Sequence, residues 1–219
     1  MENNLAQLPD TLFITGIGTD VGKSYATGWL ARELAKSGKS VITQKFVQTG
    51  NKEMSEDIEI HRRIMGIGLQ PRDIDHTTAP LILSYPCSPD LAQRIDGINI
   101  DWSVAERATA TLHEEFDHVL IEGAGGALVP LTGQYLTADY IRDRGLHAAV
   151  VTGGTLGSIN HTLLTIEALL NRGIKLSAII YNPYFDTDTT ICADTRMYIK
   201  NYITEKIPEC IYIEMPDKL

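Results

Sequence analysis

The sequence predicts an α/β fold with a mostly parallel central sheet and helices on both faces. Three observations carry this. Apolar, β-rich runs alternate with helix-period patterns along the chain, the order expected of a parallel sheet. Several of these runs are apolar almost without a break, as strands buried on both faces are. Three helix patterns end in a basic or polar residue followed by glycine, at Ser37-Gly38, Arg144-Gly145 and Arg172-Gly173, which is a helix stop.

The predicted strands are Thr11–Thr15, Ser40–Gln44, His118–Glu122, Ala148–Thr152, Leu176–Tyr181 and Ile211–Ile213. The predicted helices are Ser24–Ser37, Glu56–Met65, Ser88–Ile95, Val104–Glu115, Ala138–Arg144, Ile159–Arg172 and Thr189–Ile203. A chain of 219 residues is enough for a single domain, 1–219, with a full core. Hydrophobic residues make up 43% and charged residues 21%, a globular balance. The net charge of −9 argues against non-specific binding to nucleic acid or acidic membranes. Cys87, Cys192 and Cys210 show neither metal-like spacing nor an even count, so reduced thiols in a cytoplasmic protein are expected. No apolar run approaches membrane-spanning length, and Met1 to Asp10 lacks the basic and apolar regions of a signal peptide.

The stretch Gly16-Ile17-Gly18-Thr19-Asp20-Val21-Gly22-Lys23-Ser24 sits between the first strand and the first helix. Strand, glycine-rich turn and helix form a phosphate cradle, because the turn and helix N–H groups converge and the helix dipole favours negative charge there. Lys23 reaches terminal phosphates and the Ser24 hydroxyl is a Mg²⁺ ligand. The first glycine stands one residue earlier than in the usual phosphate loop, at Gly16 with Ile17 in its slot.

Ligands of such sheets lie beyond the carboxyl ends of the strands. There the chain has Lys45-Phe46-Val47-Gln48-Thr49-Gly50, read as a second phosphate contact. It also has Glu122-Gly123-Ala124-Gly125-Gly126, in which a carboxylate ends an apolar strand and serves Mg²⁺. In Ser55-Glu56-Asp57, Ser55 caps a helix and the acids suit its dipole. Pro80 to Pro89 reads as a proline-studded loop that lines a substrate pocket. Gly153 to His161 opens a further helix whose N–H groups suit an anion, with His161 read as structural. Tyr181-Asn182-Pro183 ends a strand with an exposed amide suited to a purine edge. The sequence contains no Ser/His/Asp or Cys/His constellation. Phosphoryl transfer needs neither, only positioning and charge compensation.

Together these motifs resemble the dethiobiotin synthetase family, whose members are P-loop NTPase-like. The family loop Gly-Thr-Asp-Thr-x-Val-Gly-Lys-Thr is matched at residues 16–24, Lys-Pro-x-x-[Ser/Thr]-Gly at 45–50, Val-Glu-Gly-Ala-Gly-Gly at 121–126, and Leu-Gly-x-Ile-Asn-His at 156–161. The resemblance runs from about Leu12 to Pro216. It implies ATP, Mg²⁺, CO₂ or bicarbonate and diaminopelargonic acid as ligands, and a homodimer with sites at the interface. It implies nucleotide contacts at Gly18, Thr19, Asp20, Val21, Gly22, Lys23, Ser24, Tyr25, Asn182 and Pro183. Mg²⁺ would be served by Ser24, Asp57 and Glu122. Lys23, Lys45, Thr19 and Thr49 would carry the chemistry. Thr49, Gly125, Gly157, Ser158, Ile159 and Asn160 would hold the substrate.

Some positions depart from the family pattern. Ile17-Gly18 replaces Thr-Asp, Phe46 replaces a proline with an expected shift of Lys45, and Asp90 stands where histidine is frequent. The chain stops soon after Met215-Pro216, and the expectation is a missing helix beside the adenine, which opens the site to GTP or CTP. A nucleotide-dependent switch of the partition type is the alternative. Those proteins carry an extra lysine early in the loop, and residues 16 to 19 hold none.

Overall fold

The computed structural model describes Leu5 and residues 7–217. The elements run β1 (Thr11–Gly16), α1 (Lys23–Lys36), β2 (Val41–Lys45), β3 (Gln48–Thr49), α2 (Glu56–Met65), α3 (Pro71–Ile74), β4 (Ile82–Leu83) and α4 (Pro89–Asp96). They continue with α5 (Ser103–His113), β5 (His118–Glu122), β6 (Pro130–Thr132), β7 (Tyr135–Leu136), α6 (Thr137–Asp143), β8 (His147–Gly153), α7 (Ser158–Leu170), β9 (Leu176–Asn182), α8 (Thr189–Lys206) and β10 (Ile211–Glu214).

Six strands form one sheet in the order β10-β9-β8-β1-β5-β2, and every pairing in it is parallel. The predicted fold class therefore holds, and all the predicted strands and helices are present. Several ends move. The strand predicted as Ser40–Gln44 runs one residue further on, so Lys45 is its last residue. The strand predicted as Leu176–Tyr181 extends to Asn182. The expected helix-stop glycines take positive φ: 87° at Gly38, 61° at Gly145 and 72° at Gly173.

The proline-studded stretch is not wholly a loop. Ile82–Leu83 pairs with Gln48–Thr49 as a short parallel ladder. The hairpin β6–β7 and the single-turn helix α3 are likewise additional to the sequence reading. Elements of two to four residues have no period to detect.

Alternation in β1 divides the core. Leu12 and Ile14 face one layer with Trp29, Leu30 and Leu34 of α1. Phe13 faces the other, with Val119 and Ile121 of β5, Ile42 of β2, Leu112 of α5 and Ile166 of α7. Helices α1 and α2 approach closely at Gly28. A Cβ there would lie 3.1 Å from the His61 Cα, so glycine sets the distance between these two helices.

Candidate active site

The carboxyl ends of β1, β2, β5 and β9 open into a cavity of about 1150 Å³. Its lining includes Thr19, Asp20, Gly22, Lys23, Ser24, Tyr25, Lys45, Thr49, Asp57, Glu122, Gly125 and Asn182. The structure thus brings most of the sequence-predicted residues to one place. Gly18 and Val21 belong to the loop itself, and Pro183 is buried behind it. Gly157, Ser158, Ile159 and Asn160, at the start of α7, do not line the cavity of the single chain.

The phosphate loop owes its course to two left-handed residues. Asp20 has φ 58° and Gly22 has φ 85°, and aspartate tolerates that region better than most side chains. A Cβ at Gly22 would lie 2.2 Å from Asn182 Nδ2, so only glycine fits. The Lys23 ammonium donates to the Gly18 carbonyl at 2.9 Å. Ile17 N–H donates to Val151 O at 3.1 Å, tying the loop to β8 through backbone alone.

Three charged groups and one hydroxyl meet beneath the loop. Ser24 Oγ lies 2.5 Å from Asp57 Oδ1 and 3.0 Å from Glu122 Oε1. Lys45 Nζ lies 2.6 Å from Asp57 Oδ2 and 2.8 Å from Glu122 Oε1. Asp57 comes from the first turn of α2, whose N-cap Ser55 accepts from Ile58 N–H.

The charges explain the pKa directions. Burial disfavours the Glu122 carboxylate, but Lys45 and the His61 hydrogen bond outweigh it and hold the group far below the usual carboxylate range. Burial likewise lowers Lys45, and contact with Glu122 and Asp57 reverses this and raises it. Lys23 touches neither carboxylate. Burial first, then the Lys45 charge, pushes it down to about 8.

Phe46 follows Lys45 on the strand exit. Its N–H donates to Glu122 O at 2.8 Å, a bond a proline cannot make, and Lys45 stays in register with Glu122. The Phe46 ring packs 4.5 Å from Tyr140 and 5.4 Å from Trp102 between centroids. Asp90 turns away from the cavity and accepts from Gly133 N–H at 2.7 Å.

The reading of Asn182 as an exposed amide is corrected, because the residue is 3% exposed. Its Nδ2 donates to Val21 O at 3.1 Å and its Oδ1 accepts from Tyr184 N–H at 3.1 Å. Those bonds fix the amide orientation and leave one N–H and one lone pair free. His161, read as structural, is exposed rather than packed.

Sequence reasoning missed Tyr184, Phe185 and Val129, which also line the cavity. It also missed His61, Arg62 and Thr43 behind it. The one available signal was spacing, since His61 follows Asp57 by one helical turn.

The donor set suits a hard divalent cation. Ser24, Asp57 and Glu122 supply only oxygens, the preference of Mg²⁺, which is typically held by one or two carboxylates plus substrate phosphates. Among the described residues no cluster of three His, Cys, Asp or Glu side chains stands ready to hold a metal. Phosphate oxygens would therefore complete the coordination.

The chain shares 50% identity over 188 residues with the ATP-dependent dethiobiotin synthetase BioD of Chlorobaculum tepidum, covering 86% of this chain and 79% of that one. It shares 43% identity over 200 residues with the dethiobiotin synthetase BioD 2 of Pasteurella multocida, covering 91% and 94%. The family described as an AAA domain matches residues 10–207. Among solved structures, the pNOB8 ParA protein bound to nonspecific DNA superposes with TM-score 0.55 at 15% identity, over 94% of this chain and 80% of that one. Chloroplast FtsY from Physcomitrella patens superposes with TM-score 0.51 at 18% identity, over 93% and 57%. These structural likenesses carry the fold and nothing further, so the ParA match does not favour the switch reading. The sequence relatives and the geometry agree: the chain belongs to the ATP-dependent dethiobiotin synthetase family.

Proposed function

We propose that this chain is a dethiobiotin synthase, which uses ATP to carboxylate 7,8-diaminopelargonic acid and close it into a cyclic urea. The observation that carries this is the convergence of Lys23, Ser24, Lys45, Asp57 and Glu122 in one cavity beneath a phosphate loop.

One substrate amine adds to CO₂ and loses a proton, giving a carbamate. A carbamate oxygen then takes the γ-phosphoryl group, and ADP leaves. The second amine attacks the carbonyl carbon of the mixed anhydride and expels phosphate, losing its proton as the ring closes. Lys23 and the loop N–H groups hold the phosphates. Lys45 leaves its carboxylate partners for the carbamate and the transferring phosphoryl group, and Thr19 and Thr49 border the same space. Gly125, with φ 65° and no side chain, lets substrate approach. Mg²⁺, held by Ser24, Asp57 and Glu122, would neutralise developing phosphoryl charge. The free N–H and lone pair of Asn182 suit the edge of adenine, beside Pro183.

The test is phosphate release from ATP with Mg²⁺ and bicarbonate, with and without diaminopelargonic acid. Release that requires the diamine, with dethiobiotin formed in step, is expected. Slow release indifferent to the diamine would move the partition-type switch to the front.

The enzyme is also read as a homodimer. Gly157 to Asn160 lie outside the chain's own cavity, and beside them Leu156 is 87% exposed and Leu164 56% exposed. A second copy seating this helix end at the cavity would bring N–H groups to the substrate carboxylate. Sedimentation is expected to show a dimer, and a monomer at assay concentration would contradict this. The three free cysteines support a cytoplasmic setting.

A further inference from the structure

We propose that His61 is a positioning residue for the cation site, holding Glu122 so that a single carboxylate oxygen faces Ser24 and Asp57. The proposal rests on the reading of Ser24, Asp57 and Glu122 as that site. His61 is 0% exposed. Its Nε2 lies 2.6 Å from Glu122 Oε2 and its Nδ1 lies 2.9 Å from Thr43 Oγ1. The other Glu122 oxygen, Oε1, accepts from Ser24 and Lys45 at 3.0 and 2.8 Å. The two oxygens are thus divided between a buried imidazole and the cavity.

The contacts behind the ring hold it in place. Arg62 is only a donor. Its Nη1 donates to Thr43 Oγ1 at 2.7 Å, while its Nε and Nη2 donate to the Asp73 carboxylate at 2.8 and 2.7 Å. A carboxylate oxygen can only accept, so His61 Nε2 carries the proton and donates it to Glu122 Oε2. The Thr43 hydroxyl, held by Arg62, steadies the ring at Nδ1.

The fold makes this possible in two ways. Asp57 and His61 stand one turn apart on α2, so one helix face delivers a cation ligand and the donor that orients the other ligand. The close approach at Gly28 brings that face within reach, since a Cβ there would meet the His61 Cα at 3.1 Å. An imidazole that only filled space would be replaceable by leucine with no change in cation affinity. A ligand whose idle oxygen is pinned binds a cation better, and losing such a contact typically costs roughly 10–100-fold in metal affinity.

The experiment is a Mn²⁺ titration of protein in excess over a bound non-hydrolysable ATP analogue, whose phosphate oxygens complete the coordination, read from the EPR signal of unbound Mn²⁺, for wild type, His61→Leu and His61→Gln. The leucine variant has no donor for Oε2, whereas the glutamine amide restores one. His61→Leu is expected to weaken Mn²⁺ binding about tenfold or more, and His61→Gln to recover most of it. The KM for Mg²⁺ in diamine-dependent phosphate release should rise in step, with a smaller fall in kcat at saturating Mg²⁺. Leucine and glutamine variants that bind Mn²⁺ equally, whether both as wild type or both impaired, would overturn the proposal. Should His61→Leu not fold, Thr43→Val removes the hydroxyl that steadies Nδ1 while keeping the side-chain shape. Weakened Mn²⁺ binding in that variant supports the proposal, and unchanged binding overturns it. A wild-type protein–nucleotide complex that binds Mn²⁺ no more tightly than the free nucleotide, while retaining diamine-dependent turnover, would instead overturn the cation-site reading beneath it.

Discussion

Lys45→Ala is expected to lower the turnover of diamine-dependent phosphate release by about 10²–10³-fold while changing ATP affinity far less. The asymmetry follows from what each lysine touches. In the proposed mechanism Lys23 and the loop N–H groups hold the phosphates in the ground state. Lys45 lies 2.6 Å from Asp57 and 2.8 Å from Glu122, and the proposed mechanism gives it the charge that develops on the carbamate and the transferring phosphoryl group. In the nucleotide-free protein it also fills a second office, as the cation between two carboxylates. Its loss leaves Glu122 and Asp57 without their counter-charge, so the free protein should melt lower and recover part of the difference when magnesium nucleotide binds. Steady-state kinetics with a separate nucleotide-binding titration decides this. Equal losses in turnover and ATP affinity, or no loss at all, would contradict the role given to Lys45.

Asp73→Asn is expected to destabilise the protein by about 3–5 kcal/mol, because it strands a buried guanidinium. Arg62 and Asp73 form a two-pronged pair with side-chain exposures of 2% and 0%. Asp73 also accepts from Gln70 N–H at 2.7 Å and from Thr78 Oγ1 at 2.7 Å. At this chain length the melting temperature should fall by roughly 10 °C. The pH dependence has a definite sign. Burial raises the Asp73 carboxyl, but the Arg62 hydrogen bonds and charge outweigh it and the net shift is downward from 3.8. A carboxyl with its folded pKa depressed contributes fully above its unfolded pKa and loses that contribution as pH falls through the folded value. The gap between wild type and variant in urea denaturation should therefore be constant from neutral pH to about 5, closing only below the ordinary carboxylate range. A gap that is absent at neutral pH, or that closes between pH 7 and 5, would contradict this account. Because Arg62 also orients Thr43, Asp73→Asn is expected to loosen the contacts behind Glu122 as well.

The phosphate loop was legible because its parts are contiguous. Gly22, Lys23 and Ser24 act from adjacent positions, so spacing along the chain is spacing in the site. Lys45 and Glu122 were legible for a related reason. Each ends an apolar strand, and a parallel sheet brings such ends together. Asp57 was weaker, since an acid in the first turn of a helix is explained by the dipole alone, and the family resemblance supplied its role. His61, Arg62 and Thr43 were not legible as a set. A histidine and an arginine in the middle of a helix read as an ordinary polar face, and nothing local says that this face is buried against β2 and β5. The strands β3 and β4 escaped because their hydrogen bonds join distant segments, and the hairpin β6–β7 because strands of two or three residues have no period to detect.

By itself, then, the sequence determined the alternation of strands and helices, the phosphate loop, and which strand ends carry charge, because each depends on neighbours in the chain. Only the tertiary structure decided that Lys45 sits between two carboxylates and that Asn182 is buried with its amide already oriented. It alone decided that a chain of hydrogen bonds runs from Arg62 through Thr43 and His61 to Glu122. Those facts depend on distances across 61 residues from His61 to Glu122 and 161 from Val21 to Asn182. Packing at contacts such as Gly28 against α2 sets such distances, and no local pattern records them.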